Sequence, residues 1–217
     1  SLADALYLAV PADAAGVRVA GDWDPLGMRA TASRSLELDD VFVPERARLL
    51  PEGLYAQAAQ RFPHMNFTLA STYFGIAQAA YDFSVQYLRA ELPGMVPVKR
   101  RMYPTKQVAV AQMRIRLEQT RALFVQTLRD ARIDPDDDAR QRLYAAHYSV
   151  MENAQAISAL ALRTCGGQAM LKSLPLERLY RDARCGALML PWTAELCLDR
   201  LGHECLYARA EHDEAIG

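Results

Sequence analysis

Hydrophobic and polar residues alternate in two different rhythms along this chain, and the rhythm changes near residue 50. In the first part, Leu36 and Leu38 alternate with polar neighbours, and short apolar runs are broken by prolines and glycines. Such an alternation between turn residues is typical of short β-strands with one solvent-exposed face. We therefore predict a β segment over residues 1–50. Its apolar runs are residues 6–10, 17–20 and 35–43.

From about residue 55, apolar residues recur every three or four positions, the period of an α-helix with one buried face. Four such stripes can be read, and small residues lie on each of them. None of these helices could bury its apolar face alone, whereas four packed antiparallel could. We therefore expect a mainly α protein, with residues 1–52 as a β unit and residues 53–217 as an antiparallel up-and-down four-helix bundle. The stripes are Leu69, Tyr73, Ile76, Ala77, Ala80, Ser84, Tyr87 and Leu88; Val110, Met113, Leu117, Thr120, Phe124, Thr127 and Leu128; Leu143, Ala146, Val150, Ala154, Ile157, Ala161 and Thr164; and Ala194, Cys197, Leu198, Leu201, Cys205 and Ala208.

Composition and charge narrow the function classes. The 217 residues are 51% hydrophobic and 24% charged, and 25 basic against 26 acidic side chains give a net charge of -1. A general nucleic-acid binder would carry a basic surplus, so this class is disfavoured. No apolar run approaches the roughly 20 residues of a membrane span. Four cysteines are too few for a disulfide scaffold and favour a reducing compartment, so we expect a cytoplasmic location.

No metal site is expected. The aspartate-rich stretch at residues 134–138 lacks the glycine and the terminal glutamate of a calcium loop. We interpret it as a turn in which Asp138 caps the next helix, with Gln141 completing a capping box. Cys197 and Cys205 lie on the last stripe and are expected to behave as small buried hydrophobes.

Three other features have both a structural and a functional interpretation. His147 lies beside the inner face of its helix and fits a core polar group, whereas His64 precedes the first long helix and could serve as a base. The Gly166-Gly167 pair could end a helix or allow close approach to a phosphate. The basic run at residues 99–101 could meet a phosphate or could be a solvated loop.

Three segments together resemble the acyl-CoA dehydrogenase family, in matching order across nearly the whole chain. The first resembles the end of that family's middle β-domain, the second its second long bundle helix, and the third its glycine pair and arginine-aspartate motif. The segments read WDPLGMRATAS with LELDDVFVP (residues 23–33 and 36–44), AQMRIRLE ending in Arg121 (residues 111–121), and CGG with LERLYRDAR (residues 165–167 and 176–184).

The resemblance implies that the chain is the C-terminal part of a longer protein, namely the end of an incomplete β-barrel domain followed by the helical bundle. It implies FAD as cofactor, lying between the β-domain and the bundle, with its adenine end reaching the bundle of a neighbouring subunit. It also implies an acyl-CoA or similar small-molecule substrate, a homodimer or homotetramer built through the bundle, and an electron-accepting flavoprotein as a partner. The fragment alone is expected to be inactive and to hold FAD poorly.

Some of the family's flavin contacts can be carried over to this sequence. The glycine pair corresponds to Gly166 and Gly167, and the family glutamine three residues earlier is Arg163 here. The threonine after the catalytic loop corresponds to Thr193, and the polar residue two further on to Glu195. The family's arginine-phenylalanine-glycine clamp is not recognisable in residues 93–101, where Arg100 or Arg101 would have to replace its charge. We expect the bundle to close one side of a nucleotide crevice, with Gly166 and Thr193 on related surfaces.

The catalytic residue cannot be assigned, because both of the family's base positions lack a carboxylate. The first position falls within residues 188–193, which read LMLPWT. The second, early in the first long bundle helix, is Met65, and Asn66 replaces an arginine beside the substrate. The nearest ionisable candidate is His64.

We expect the first of three functions, and the other two are kept as alternatives. The first is an acyl-CoA dehydrogenase-like oxidoreductase of fatty acid metabolism, which needs a base for the α-proton. The second is a flavin-dependent monooxygenase of the same fold, which needs a dry cleft but no such base. The third is a non-catalytic paralogue that serves in assembly.

Overall fold

The β segment consists of two small antiparallel sheets in a computed structural model that describes residues 5–90 and 99–207. Strand β1 (Tyr7–Leu8) pairs with β4 (Arg48–Leu50), and β2 (Val17–Ala20) pairs with β3 (Ser35–Leu38). In the second pair, Val17 is opposite Leu38 and Val19 is opposite Leu36. The predicted strands are present, but the prediction of one buried face is wrong within this chain: Leu36 and Leu38 are 60% and 59% exposed.

In the part of the chain that the structure describes, six α-helices follow the strands. They are α1 (Leu54–Arg61), α2 (Thr68–Arg89), α3 (Pro104–Arg129), α4 (Asp137–Cys165), α5 (Leu176–Gly186) and α6 (Ala194–Leu206). A short 3-10 helix, Pro63–Phe67, joins α1 to α2. The last strand and the first helix lie on either side of the expected boundary at residues 52 and 53, and the division into two domains stays a prediction.

Helix α4 is the centre of the bundle. It packs against α2, α3, α5 and α6, and all seven residues of its predicted stripe are buried. Helices α3 and α4 run antiparallel, because Lys106 Nζ donates to Thr164 O at one end and Arg142 donates to Asp130 at the other. Between these ends, Asn153 Nδ2 donates to Thr120 Oγ1 over 2.9 Å. The expected mainly α fold is confirmed.

The fourth stripe is only partly correct. Ala194 and Cys197 are buried, but Leu198 and Cys205 are exposed, and Ala208 lies outside the described residues. The fourth place beside α4 is shared by α5 and α6, so α6 needs few buried positions. In α3, Leu128 is exposed as well, because the helix ends one residue later.

The start of α4 corrects another expectation. The capping residue is Asp136 and not Asp138, because the Asp136 side chain accepts a hydrogen bond from Ala139 N over 2.9 Å. Asp138 lies in the first turn of the helix, where a carboxylate is favourable beside the exposed N–H groups. Within residues 5–90 and 99–207, no helix is long and apolar enough to cross a membrane.

Candidate functional site

A basic groove runs along the outer face of α3 and α4. One part of it, of about 460 Å³, is lined by Lys106, Gln112, Arg163 and Gly166 among others. It continues into a second part of about 590 Å³, which shares Gln112 and Arg163 and adds Arg116. No carboxylate lines either part among the described residues. The groove therefore favours an anionic ligand or an acidic surface.

Helix ends contribute to this charge. The groove reaches the first turn of α3, the end of the helix dipole that carries partial positive charge, although Lys106 N and Gln107 N in this turn already donate to Tyr103 O. It also reaches the last turn of α4, where Lys106 Nζ donates to Thr164 O over 2.9 Å, so that a cation lies at the negative end of this helix. An anion at this end would therefore meet the positive end of one helix, while a lysine covers the negative end of the other.

Glycine is needed at residue 166 for the backbone, but not at residue 167. Gly166 has φ of +87° and donates its N–H to Leu162 O, so it ends α4 in a conformation that favours glycine. Gly167 has an ordinary φ, and a Cβ there would meet no described atom within 4 Å. Both interpretations of the pair are thus compatible with the structure, and the outer surface of Gly167 is open to a ligand.

The basic run beside this end of the bundle is turned toward the protein. The Arg100 guanidinium lies 3.9 Å above the centre of the Tyr87 ring, and its Nη2 donates to Ala90 O. Arg101 Nη1 donates to Arg89 O over 3.0 Å and lines a cavity of about 280 Å³ between α2 and α3. The rest of the expected clamp region, residues 93–98, lies outside the described residues.

Thr193 and Glu195 lie at the other end of α4. Thr193 caps α6 through its hydroxyl, which accepts from Leu196 N over 3.2 Å, and Glu195 is exposed in the first turn of that helix. The neighbouring Trp192 ring lies 5.1 Å from Tyr144, near the start of α4. At about 1.5 Å per residue, Tyr144 and Cys165 are roughly 30 Å apart along α4. The chain therefore does not bring Gly166 and Thr193 together.

Both base positions lie near this second end of α4. The loop 188–193 is placed there by Trp192 on Tyr144. The 3-10 helix with Met65 is placed there by Phe67, whose ring lies 6.0 Å from His147, one turn after Tyr144. Neither position provides a carboxylate.

Tyr73 holds the loop against the bundle. Its hydroxyl donates to Met189 Sδ over 3.0 Å, and its ring packs under Gly186. Burial raises the pKa of Tyr73 to about 12, so the phenol stays protonated and remains a donor. Leu188 and Leu190 are exposed on the outer side of the same loop. The loop thus presents a neutral, apolar surface.

His64 lies at this end but does not face open space. It is 6% exposed, and both ring nitrogens are buried without a hydrogen-bond partner among the described residues. Burial lowers the pKa of His64, while the charge of Asp130 opposes this effect. The ring is therefore neutral at pH 7 and able to accept a proton, but the proton would have to reach a buried atom.

Sequence analysis did not single out Lys106 and Arg116, which line the groove. A single lysine or arginine on a helix matches no motif. The charge pattern could have indicated the basic groove, because residues 104–117 contain no aspartate or glutamate but include Lys106, Arg114 and Arg116. Among residues 5–90 and 99–207, no cluster of three or more histidine, cysteine or acidic side chains could hold a metal ion.

The sequence is similar to a known protein family and to several of its members. Residues 52–190 match the family model described as acyl-CoA dehydrogenase, C-terminal domain. The chain is 32% identical to L-evernosamine nitrososynthase of Micromonospora sp. over 96% of this chain and 52% of the relative. It is also 32% identical to the mitochondrial short-chain specific acyl-CoA dehydrogenase of Bos taurus, over 81% of this chain and 42% of the relative.

The fold of the chain is also similar to that of a solved structure. KijD3 in complex with FMN and dTDP-3-amino-2,3,6-trideoxy-4-keto-3-methyl-D-glucose superposes with a TM-score of 0.74 and 26% identity. The match covers 91% of this chain and 50% of that protein. The chain thus spans about half the length of the relatives that it matches.

Proposed function

Because the chain belongs to the acyl-CoA dehydrogenase family, whose members are flavin-dependent oxidoreductases, we propose that the complete protein is a flavin-dependent monooxygenase of this fold. The observation that carries the proposal is the neutral end of the bundle. Neither Met65 nor the loop 188–193 provides a carboxylate where the family's dehydrogenases place their base.

The chemistry of the two reactions explains why this absence matters. Dehydrogenation of an acyl thioester requires a positioned base, since a proton must be taken from Cα as the hydride leaves Cβ. Oxygen activation requires a cleft that excludes water and no base at these positions. An apolar loop held by Tyr73 and Met189 suits the second requirement.

The residues at both ends of α4 fit a flavin. At one end, Lys106 and Arg163 would attract the phosphate part, and Gly166 and Gly167 leave its approach open. At the other end, Thr193 and Glu195 would border the cofactor beside the apolar loop. When bound, a reduced flavin would supply the electrons for oxygen activation. FAD is the typical flavin of this family, and KijD3 has been solved with FMN.

The distance between the proposed flavin residues at the two ends of α4 supports an oligomer. One flavin cannot contact both ends of α4 within one chain without spanning roughly 30 Å of helix. A homodimer or homotetramer, in which one subunit supplies Thr193 and its neighbour supplies Gly167, removes this difficulty. We further propose a cytoplasmic location, because all four cysteines are free thiols in a chain that is otherwise of ordinary globular composition.

The second candidate is the acyl-CoA dehydrogenase-like reaction on the CH–CH group of a thioester, with an electron-accepting flavoprotein as partner. It is favoured by the 32% identity to a short-chain specific acyl-CoA dehydrogenase. It requires a base outside the two positions described above, and His64, next to Met65 in the sequence, is the candidate for that base.

The decisive experiment uses the complete protein, purified and reduced anaerobically. For a monooxygenase, the reduced flavin should consume oxygen with turnover of an organic substrate, and butyryl-CoA should leave the oxidised flavin spectrum unchanged. Anaerobic bleaching of the flavin by butyryl-CoA would instead establish the dehydrogenase. A colourless protein that takes up neither FAD nor FMN would indicate the non-catalytic paralogue and would contradict both.

The proposed cofactor residues are tested in the same protein. Gly167→Asp should abolish flavin binding, because it places a carboxylate where the proposed phosphate lies. Gly202→Asp on α6 is the matched control, since a Cβ there also meets no atom within 4 Å. Flavin content is measured from the visible absorbance after gel filtration, and equal content in both variants would remove Gly167 from the site.

A further inference from the structure

Two segments that are far apart in the sequence form one contact between the β segment and the bundle. The turn at residues 23–31 of the β segment lies against α5. The N–H of Met28 donates to Asp182 Oδ1 over 2.6 Å, and Arg181 Nη1 donates to Leu26 O over 2.7 Å. Hydrogen bonds to or from charged groups are stronger than neutral ones, so these two hold the turn firmly.

The backbones also approach closely at this contact. A Cβ on Gly27 would lie 2.3 Å from Arg181 O and 2.8 Å from Asp182 N. Backbone atoms cannot move aside as a flexible side chain can, so only glycine fits at residue 27. The following residue, Met28, has φ of +55°, which is unfavourable for a side chain with a Cβ. The bond to Asp182 stabilises this conformation.

The charges behind the contact are arranged to keep it rigid. Arg181 is held by Glu177 one turn earlier, with Nε 2.9 Å from Glu177 Oε2. Both side chains are largely buried at 22% and 18% exposure. The hydrogen bond from Arg181 lowers the pKa of Glu177, so the pair stays charged at neutral pH. Glu177 thus orients the guanidinium that reaches Leu26.

Helix α5 connects this contact to the loop 188–193. Four residues after Asp182, Gly186 packs on Tyr73, and the loop 188–193 follows directly. On the other side, the Trp23 indole donates its Nε1–H to Met28 O over 3.3 Å, so an aromatic side chain of the β segment is held beside the contact. The same short helix therefore sets the position of the β segment and of the loop.

We propose that Asp182 and Arg181 are positioning residues that fix the β segment relative to the loop 188–193, beside which Thr193 and Glu195 would border the flavin. This inference rests on the proposed flavin-dependent function. The two groups bind the turn at residues 23–31 to α5, the helix that leads directly into the loop 188–193, and thereby limit movement of the turn relative to that loop.

The test uses the complete, flavin-loaded protein with three variants and a control. Asp182→Ala removes the acceptor for Met28 N, whereas Asp182→Asn keeps an accepting oxygen and should rescue. Gly27→Ala separates the same surfaces from the other side. Gly75→Ala on α2 is the control, because a Cβ there meets no atom within 4 Å.

Two measurements are made on each variant. The first is hydrogen–deuterium exchange of peptides that contain the Met28 amide, with α4 peptides as the internal reference. The second is the dissociation constant of the flavin, together with the shape of its visible spectrum. In Asp182→Ala and Gly27→Ala, exchange at Met28 should accelerate about tenfold or more and flavin binding should weaken to a similar degree, while α4 stays protected. Asp182→Asn and Gly75→Ala should resemble the parent protein.

The outcomes are distinguishable. Unchanged exchange at Met28 in Asp182→Ala would show that Asp182 does not hold the turn. Faster exchange with unchanged flavin affinity and spectrum would show that the contact is structural only, and would overturn the positioning role. If the parent protein itself takes up no flavin, the proposed function fails, and the positioning role in a flavin cleft fails with it, while the exchange data still decide whether Asp182 anchors the turn.

Discussion

Two buried histidines, His64 and His147, lie at the start of the bundle. His147 is 4% exposed, and its burial lowers its pKa to about 4 from an ordinary value of 6.5. The pKa of His64 is shifted in the same direction. Both rings are therefore neutral in the folded protein at pH 7, whereas the unfolded chain takes up protons on them as soon as the pH falls below about 6.5.

This difference predicts a loss of stability in mild acid. Between pH 6.5 and pH 4 the unfolded chain binds more protons than the folded chain, so the free energy of unfolding falls as the pH is lowered. His147 contributes a loss of about 3 kcal/mol over this range. Urea unfolding at several pH values checks this. His147→Gln should flatten the pH dependence, and an equally steep curve in that variant would rule out His147 as the cause.

Gly186 lies where the core leaves no room for a side chain. A Cβ at this position would lie 2.6 Å from Met151 Sδ and 2.8 Å from the Tyr73 ring. We expect Gly186→Ala to lower the free energy of unfolding by about 1–3 kcal/mol through overpacking.

The control for this prediction is Gly75→Ala, which lies on the open face of α2. Alanine favours a helix over glycine by roughly 0.5–1 kcal/mol, so this variant should be slightly more stable than the parent. Thermal unfolding of both variants gives the comparison. Equal stabilities would mean that the Tyr73 and Met151 side chains move aside without loss.

At the level of single elements, the start of α4 depends on one side chain. Asp136 accepts from Ala139 N and also pairs with Arg132. Asp136→Ala should therefore destabilise the protein by about 0.5–2 kcal/mol, the usual effect of losing an N-cap. Asp138→Ala, two residues further in the first turn, should change the stability by no more than about 0.5 kcal/mol. Chemical unfolding of the two variants should separate them, and the reverse order would restore Asp138 as the cap.

The most accurate of the helix predictions is the stripe of α4. All seven stripe residues of α4 are buried because this helix is surrounded by four others. No apolar stripe was predicted for α5, whose buried positions are only Leu176, Leu179, Ala183 and Gly186 between many charged residues. The hydrophobic periodicity of a short helix with few large apolar residues is too weak to identify it from the sequence.

For the whole molecule, the groove between α3 and α4 leads to a prediction about assembly. Ile115 lines this groove and is 58% exposed, together with Arg116 and Arg163. If subunits associate through the bundle as proposed, Ile115→Glu should shift the protein toward the monomer in sedimentation velocity experiments, because a buried carboxylate is unfavourable at an interface. Ile133→Glu is the matched control, since Ile133 is 64% exposed in the turn after α3 and lies away from the groove. Identical sedimentation of both variants would contradict an interface at this groove.

The residues of the candidate site could be named from the sequence, and their roles stay predictions, but their arrangement could not be named. Gly166, Gly167 and Thr193 were identified from their motifs, and the missing carboxylates at Met65 and in the loop 188–193 could be read directly. The sequence did not show that Gly166 and Thr193 lie at opposite ends of α4, because this depends on the length of that helix and on where α6 packs.

Local periodicity was enough to establish the class of fold, since a helix with one apolar face must bury that face whatever its neighbours are. The motifs were enough to establish the family, and the neutral loop was visible as a run of uncharged residues. The contact between residues 23–31 and α5 came from folding alone, because a backbone approach such as that of Gly27 to Arg181 leaves no periodic trace in either segment. The neutral state of His147 also came from folding, since it results from burial by distant parts of the chain and not from its neighbours in sequence.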